Sequence, residues 1–306
     1  MLQASQLSLE IGGKKILREL SFSVSPGIIG LLGPNGAGKS TFIKLILGVM
    51  RPTKGEVLLN GKGNYGGEDP LTRVGFMPEA RAFHPSMRGV DYVIFAGELQ
   101  GMPRRDARRR ANETLDCLGV GESRFRPMGQ YSAGMIQKTK LAQALVHDPP
   151  LLILDEPTAG LDPPSREEML ELLRVLGDSH GKSILISTHL LGDVERTCDQ
   201  VVVLNQGECL FCGKLLELLK PSKSLFQISF AGEMENPQEI FQSAGWEFTL
   251  GEEPGLGVVA GPPGESPTHL FQSIHRARGW VKKLVPVEPR LDEVFFTLIQ
   301  NHRGGK

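Results

Sequence analysis

The sequence predicts an α/β domain built on parallel strands, followed by a smaller α+β domain. Three observations carry the prediction. Gly33-Pro34-Asn35-Gly36-Ala37-Gly38-Lys39-Ser40-Thr41 is a complete G-x-x-x-x-G-K-S run, set between a wholly apolar stretch at 28–32 and a helical pattern at 41–47. Two more apolar runs, at 151–155 and 183–187, read as buried parallel strands with polar residues at their C-terminal ends. Beyond residue 220 the order becomes strand, helix, strand, strand, helix, strand.

Taken in order, residues 5–25 read as strands, because Leu20, Phe22 and Val24 alternate with Ser21, Ser23 and Ser25 as in a half-buried antiparallel strand. The glycine loop follows. Its glycines let backbone N–H groups converge on phosphate, and the helix start adds its unsatisfied donors. Lys39 is placed to reach terminal phosphates and Ser40 to hold Mg²⁺. Residues 52–55 break the chain, and a short strand at 56–59 ends at Asn60-Gly61, a hairpin signal. Another short strand at 73–79 carries Glu79 at its end. Residues 87–147 are largely helical. The arginine cluster at 104–110 reads as a lipid contact or as a solvated helix face, and the balanced charge of the chain favours the second. Ser132 is placed to cap the helix that follows it.

The run at 151–155 ends in two carboxylates, Asp155 and Glu156, at the strand end where open α/β sheets take ligands. With the glycine loop upstream, Asp155 is a candidate for holding Mg²⁺ through water and Glu156 for polarising an attacking water. Ala159-Gly160-Leu161-Asp162 forms a loop, and Pro163-Pro164 opens the next helix. His189 follows the strand at 183–187 at the same sheet edge as Glu156, which favours phosphate sensing over a purely structural role. Cys209 and Cys212 form a C-x-x-C without a second ligand pair. Strand alternation would point them to opposite faces, so the motif reads as coincidence. Lys220-Pro221-Ser222-Lys223 reads as a linker, placing the domain boundary between 1–219 and 220–306. The β-α-β-β-α-β order after it matches the ferredoxin-like split pattern, and Leu291, Val294, Phe295 and Leu298 lay an apolar stripe on a final helix.

Composition bounds the partners. The 306 residues carry 34 Lys+Arg against 35 Asp+Glu, a net charge of −1, so nothing in the charge balance predicts binding to nucleic acid. No apolar run is long enough to span a bilayer. The first residues lack a basic start and apolar stretch, and the four cysteines show no disulfide framework, which together predict a reducing cytoplasmic setting.

In this order and spacing the motifs resemble the ATP-binding subunit of an ATP-binding cassette (ABC) transporter. The resemblance covers residues 1 to about 215. Gly33 to Thr41 stand at the Walker A motif, Glu79 at the Q-loop, Ser132-Ala133-Gly134-Met135 at the signature, and residues 151–155 at Walker B. Glu156 stands at the catalytic glutamate, Ala159 to Asp162 at the D-loop and His189 at the switch histidine. The resemblance implies an ABC cassette made of a mixed sheet core, an antiparallel β subdomain and a helical subdomain at about 87–147. It also implies ATP and Mg²⁺ as ligands, with Ser40, Asp155 and Glu79 at the metal. Ser132 and Gly134 are implied to act across a head-to-tail dimer, formed with a second copy or another ABC subunit. Two departures stand out: Glu79 replaces the usual Gln, and Ile11 stands where an aromatic commonly stacks on adenine. Pro78-Glu79, the Met-containing signature and the appended domain resemble the ABC-2 subgroup, whose ATPase drives a separate membrane permease from the cytoplasmic face. Phe83, His84, Pro85, Met87, Tyr92, Ile94 and Phe95, between Glu79 and Gln100, exceed what one buried stripe needs; internal packing of the helical subdomain accounts for some, and the resemblance implies that an exposed member, Phe83 first, contacts the permease. A mechanical or regulatory ABC ATPase outside transport remains the alternative.

Overall fold

The computed structural model describes residues 2–59, 61–63, 70–80, 83–220, 224–232, 236–251, 255–262, 267–287 and 289–304. The chain divides into two compact units, one of Met1–Leu215 with Leu298–Lys306, the other Leu216–Thr297.

The first unit opens with a hairpin of β1 (Leu2–Ile11) and β2 (Lys14–Val24). Leu17, Leu20, Phe22 and Val24 of β2 are buried, as the serine–apolar alternation predicts. β3 (Ile28–Leu32), buried along its whole length, runs through the glycine loop into α1 (Lys39–Ile46). β4 (Lys54–Leu59) pairs with β1 and with the short β5 (Lys62–Gly63). Of the turn between them only Gly61 is described, at φ 74°; Asn60 lies outside the described residues. After β6 (Val74–Met77) come three helices, α2 (Gly89–Leu99), α3 (Arg104–Cys117) and α4 (Ala133–Leu145). The unit continues as β7 (Leu151–Asp155), α5 (Pro163–Asp178), β8 (Ser183–Ser187), α6 (Leu191–Thr197), β9 (Gln200–Asn205) and β10 (Glu208–Lys214).

Two sheets result. One is antiparallel in the order β2-β1-β4-β5. The other runs β10-β9-β3-β8-β7-β6, parallel except for β10 on β9. A shared apolar core lies between them and α1, with Phe22 edge-on to Phe42 at 5.4 Å. The parallel order sets the C-terminal ends of β3, β7 and β8 side by side, so the glycine loop, Asp155, Glu156 and His189 share one edge.

The arginine cluster on α3 takes part in exposed ion pairs, among them Arg109–Glu113 at 3.1 Å and Arg110–Asp148 at 3.8 Å, which is the solvated-face reading. The alternation argument fails at the C-x-x-C. A bulge between Cys209 and Phe211 inserts an extra residue into β10, so Cys209 and Cys212 both pack against the same core. Burial pushes both thiols up, that of Cys209 to about 12, which leaves them unreactive.

The short α7 (Leu215–Leu218) contains the division between the units, ahead of the expected boundary at 219; residues 221–223 of the expected linker lie outside the described residues. The second unit holds β11 (Ser224–Gly232), α8 (Pro237–Ser243), β12 (Glu247–Leu250), β13 (Leu256–Gly261), α9 (Thr268–Arg276) and β14 (Gly279–Pro286). Its strands form one antiparallel sheet in the order β12-β13-β11-β14, the arrangement of a split β-α-β-β-α-β unit. Its own core gathers Phe230, Phe241, Trp246 and Phe248. The last helix, α10 (Leu291–Gly304), begins in this unit and ends in the first, where His302 Nε2 lies 3.4 Å from Glu208 Oε2.

Candidate active site

The glycine loop is held by its own backbone and by the sheet. Ala37 N–H donates to Pro34 O at 3.0 Å, and Gly207 N–H donates to Ala37 O at 3.1 Å. Gly33 admits no side chain, because a Cβ there would lie 2.3 Å from the carbonyl oxygen of Leu204. Gly38, at φ 107°, turns the chain directly into α1 in a conformation other residues avoid. Asn35, Gly36, Ala37, Gly38, Lys39, Ser40 and Thr41 line a cleft of about 510 Å³, with Lys14, Lys15, Ile16, Arg18 and Gln206 supplying the rest of its wall.

Lys39 Nζ donates to the carbonyls of Gly33, at 2.5 Å, and Pro34, at 3.3 Å. Burial lowers its pKa, against the upward pull of Glu156 and Asp155. An ammonium held by the glycine loop at the start of a helix makes an anion site. Asp155 ends β7 beside Ser187 of β8. Burial raises its pKa; the hydrogen bond from Ser187 and the charge of Lys39 oppose the rise, and Glu79 and Glu156 add to it. A carboxylate so placed is under-compensated, and a divalent cation would relieve it. Ser40, Asp155 and Glu79 offer hard oxygen donors of the kind Mg²⁺ takes together with phosphate oxygens and water, so the residues fit the ion. No group of three or more His, Cys, Asp or Glu among the described residues could hold a metal on its own.

Glu156 is the most constrained side chain of the site. It is 9% exposed, and its backbone sits at φ 50°, a conformation few non-glycine residues adopt. The turn is fixed by Glu156 N–H donating to Ser187 O at 2.8 Å. Oε1 accepts from the His189 backbone N–H at 3.1 Å and lies 2.9 Å from His189 Nδ1; Oε2 accepts from Thr188 Oγ1 at 3.2 Å. A carboxylate only accepts, so this contact places a proton on Nδ1 and turns Nε2 away from Glu156. The structure thus brings Lys39, Asp155, Glu156 and His189 together, with Glu79 in the bend two residues past β6, which ends at Met77 rather than at the expected 79.

The remaining predicted residues fall elsewhere. Ser132 caps α4, accepting from Met135 N–H at 3.3 Å, and Gly134 faces Ser165. Asp162 precedes Pro163 at the start of α5. None of the three lines the loop cleft. Ile11 stands at the β1–β2 turn, 48% exposed and outside the cleft lining, where Ile16 is the apolar residue instead. Sequence reading missed Thr188, which orients Glu156, and Asp193, buried and accepting from Thr158 Oγ1 at 2.6 Å and Arg166 Nε at 2.5 Å. Thr188 has a signal in its adjacency to His189; Asp193 looks like any acid in a helix's first turn.

Comparison with known proteins identifies the family. A family model described as ABC transporter matches residues 17–159. The chain is 34% identical over 282 residues to the uncharacterized ABC transporter ATP-binding protein YxlF of Bacillus subtilis, covering 91% of this chain and 89% of that one. It is 35% identical to the linearmycin resistance ATP-binding protein LnrL of Bacillus subtilis (71% of this chain, 70% of that one). It is 32% identical to the bacitracin transport ATP-binding protein BcrA of Bacillus licheniformis (69% and 68%). Among solved structures it resembles CbiO1 of Clostridium perfringens, part of the ABC transporter complex CbiONQ, at 28% identity and a TM-score of 0.64, covering 71% of this chain and 89% of that one. The dimeric bacterial ABC transporter cassette MJ0796 matches at 25% identity and a TM-score of 0.62 (70% and 99%).

Proposed function

The chain belongs to the ABC transporter family as an ATP-binding subunit, and from that premise we propose that it drives a separate ABC-2 type permease, as an exporter, through ATP-dependent head-to-tail dimerisation. The family's reaction is ATP hydrolysis. The observation that carries the assignment of residues is the Glu156 carboxylate, gripped by Thr188 and His189 at the edge where Lys39 and Asp155 also end. Lys39 and the loop N–H groups of Gly33 to Thr41 bind the phosphates. Ser40 and Asp155, with Glu79, would hold Mg²⁺, whose charge neutralises the phosphates. Glu156 takes the proton of the attacking water, and His189 presents Nε2 towards the γ-phosphate. Ser132, Gly134 and Asp162 lie away from this cleft, as residues serving a partner's nucleotide would; the dimeric cassette among the similar structures supports that reading. The partner is a second copy or another ABC subunit. Ile11 or Ile16 meets the base without an aromatic face. Export is supported by the resistance and transport relatives, and the chain acts from the cytoplasmic face through its permease. No helix among the described residues is long and apolar enough to cross a membrane itself.

Glu156→Gln tests the reading. It keeps the side-chain size but removes the base, so turnover falls by at least roughly a hundredfold while ATP still binds, and the ATP-bound dimer accumulates on size exclusion. Lys39→Ala instead loses nucleotide binding. Turnover near wild type in Glu156→Gln rejects the assignment.

A further inference from the structure

Helix α4, capped by Ser132, buries the polar side chains of Gln137, Thr139 and Lys140; Thr139 bonds back to its own helix, whereas the other two reach out of it. Gln137 Nε2 donates to Ala159 O at 3.1 Å, in the loop just after Glu156. Lys140 is 1% exposed, and its Nζ donates to the backbone carbonyl of Glu79 at 3.0 Å. A lysine is rarely buried so completely, because its charge gives up water. An apolar residue of similar volume would pack in a helix interior at less cost. Gly75 of β6 lies so close to α4 that a Cβ there would stand 2.0 Å from Ala144 O. The Lys140 side chain reaches past the strand to the turn that follows it.

We infer that Lys140 is a positioning residue for ATP hydrolysis: it fastens the Glu79 turn to the helix that presents Ser132 and Gly134, so that the two move as one piece. The inference rests on the roles proposed above for Glu79 and for the α4 N-terminus. A displacement of residues 78–80 is then carried along a stiff helix to its capped end. Without the tether the turn shifts alone, and the two groups reach the nucleotide out of register.

The test compares full-length wild type with Lys140→Met, which keeps the volume without a donor, and Lys140→Gln, which is polar but too short to reach. Three quantities are read: kcat for ATP, affinity for a fluorescent ATP analogue, and Tm. In both variants kcat falls about tenfold, within the loss expected from misplacing groups remote from the chemistry, while nucleotide affinity stays at the wild-type value and Tm is not lowered. A wild-type kcat in either folded variant overturns the inference. So does a fall in kcat matched by equal falls in affinity and Tm, which marks an ordinary core residue. Glu156→Gln run alongside separates the two readings: if it turns over like wild type, the site assignment fails whatever Lys140 does.

Discussion

At the scale of single residues, the site buries charge that its protein neighbours only partly compensate. Asp155 is the clearest case. Burial raises its carboxyl above the ordinary carboxylate value, so the folded state binds its proton more tightly than the unfolded chain does. Ionisation therefore costs folding stability. The cost is absent below the ordinary value, where both states are protonated, and complete once pH passes above the folded-state value. Asp155→Asn accordingly raises the Tm of the nucleotide-free protein at pH 7 by a few degrees, and the gain fades as pH falls through the carboxylate range. The same substitution removes the stabilisation that ATP with Mg²⁺ gives. Thermal melts with and without the nucleotide check both halves, and a lower Tm in the ligand-free variant contradicts them. The shared edge was legible because Asp155, Glu156 and His189 each follow a recognisable apolar run and Lys39 follows the glycine loop. Lys140 and Asp193 were not, because a polar residue inside a helix gains its meaning only from the carbonyl or guanidinium that folding brings to it.

At the scale of elements, the apolar excess beside Glu79 resolves into two populations. Tyr92 and Ile94 of α2 are buried, each 7% exposed, whereas Phe95 and Leu99 lie one turn apart at 50% and 70% exposed. Phe83, the expected first contact, is half-buried and edge-on to Tyr92 at 5.9 Å. On the function proposed above, Phe95 rather than Phe83 is therefore the expected permease anchor. Phe95→Ala weakens association with the permease by about 1–3 kcal/mol, the range for an aromatic interface residue, and leaves the ATPase rate and Tm of the isolated chain unchanged. Phe83→Ala lowers Tm as well, since it uncovers Tyr92. A pull-down titration and a melt on both variants decide the matter; equal permease binding by Phe95→Ala removes that face from the interface. Periodicity indicated how much apolar surface α2 carries, but not which part of it stays uncovered, because that depends on helices arriving from elsewhere in the chain. The C-x-x-C failed for a related reason. Alternation is a property of an unbroken strand, and the bulge in β10 is set by its partner rather than by the two cysteines.

At the scale of the whole molecule, most elements were legible in their sequence order, whereas the order of strands within the cassette sheets was not, and the division of the chain was legible only in part. A linker marks where the second pattern starts, but nothing in the apolar stripe of α10 shows that its last turns group with the first unit, where His302 meets Glu208. The two units have separate cores. Only the first contains the nucleotide cleft, so ligand binding should stabilise it alone. Both tryptophans of the chain lie in the second, Trp246 buried in its core and Trp280 exposed, so tryptophan emission reports that unit and no other. In the Glu156→Gln background, where ATP is not consumed, Mg²⁺ and ATP at about a hundred times Kd stabilise the first unit by roughly 2.7 kcal/mol. For a unit of this size that moves its transition up by about 5–10 °C. Calorimetry then shows one transition that moves and one that stays, and the melt followed by tryptophan emission stays with the second. An emission melt that shifts together with the ATP-sensitive transition would instead show the two units unfolding as one cooperative block.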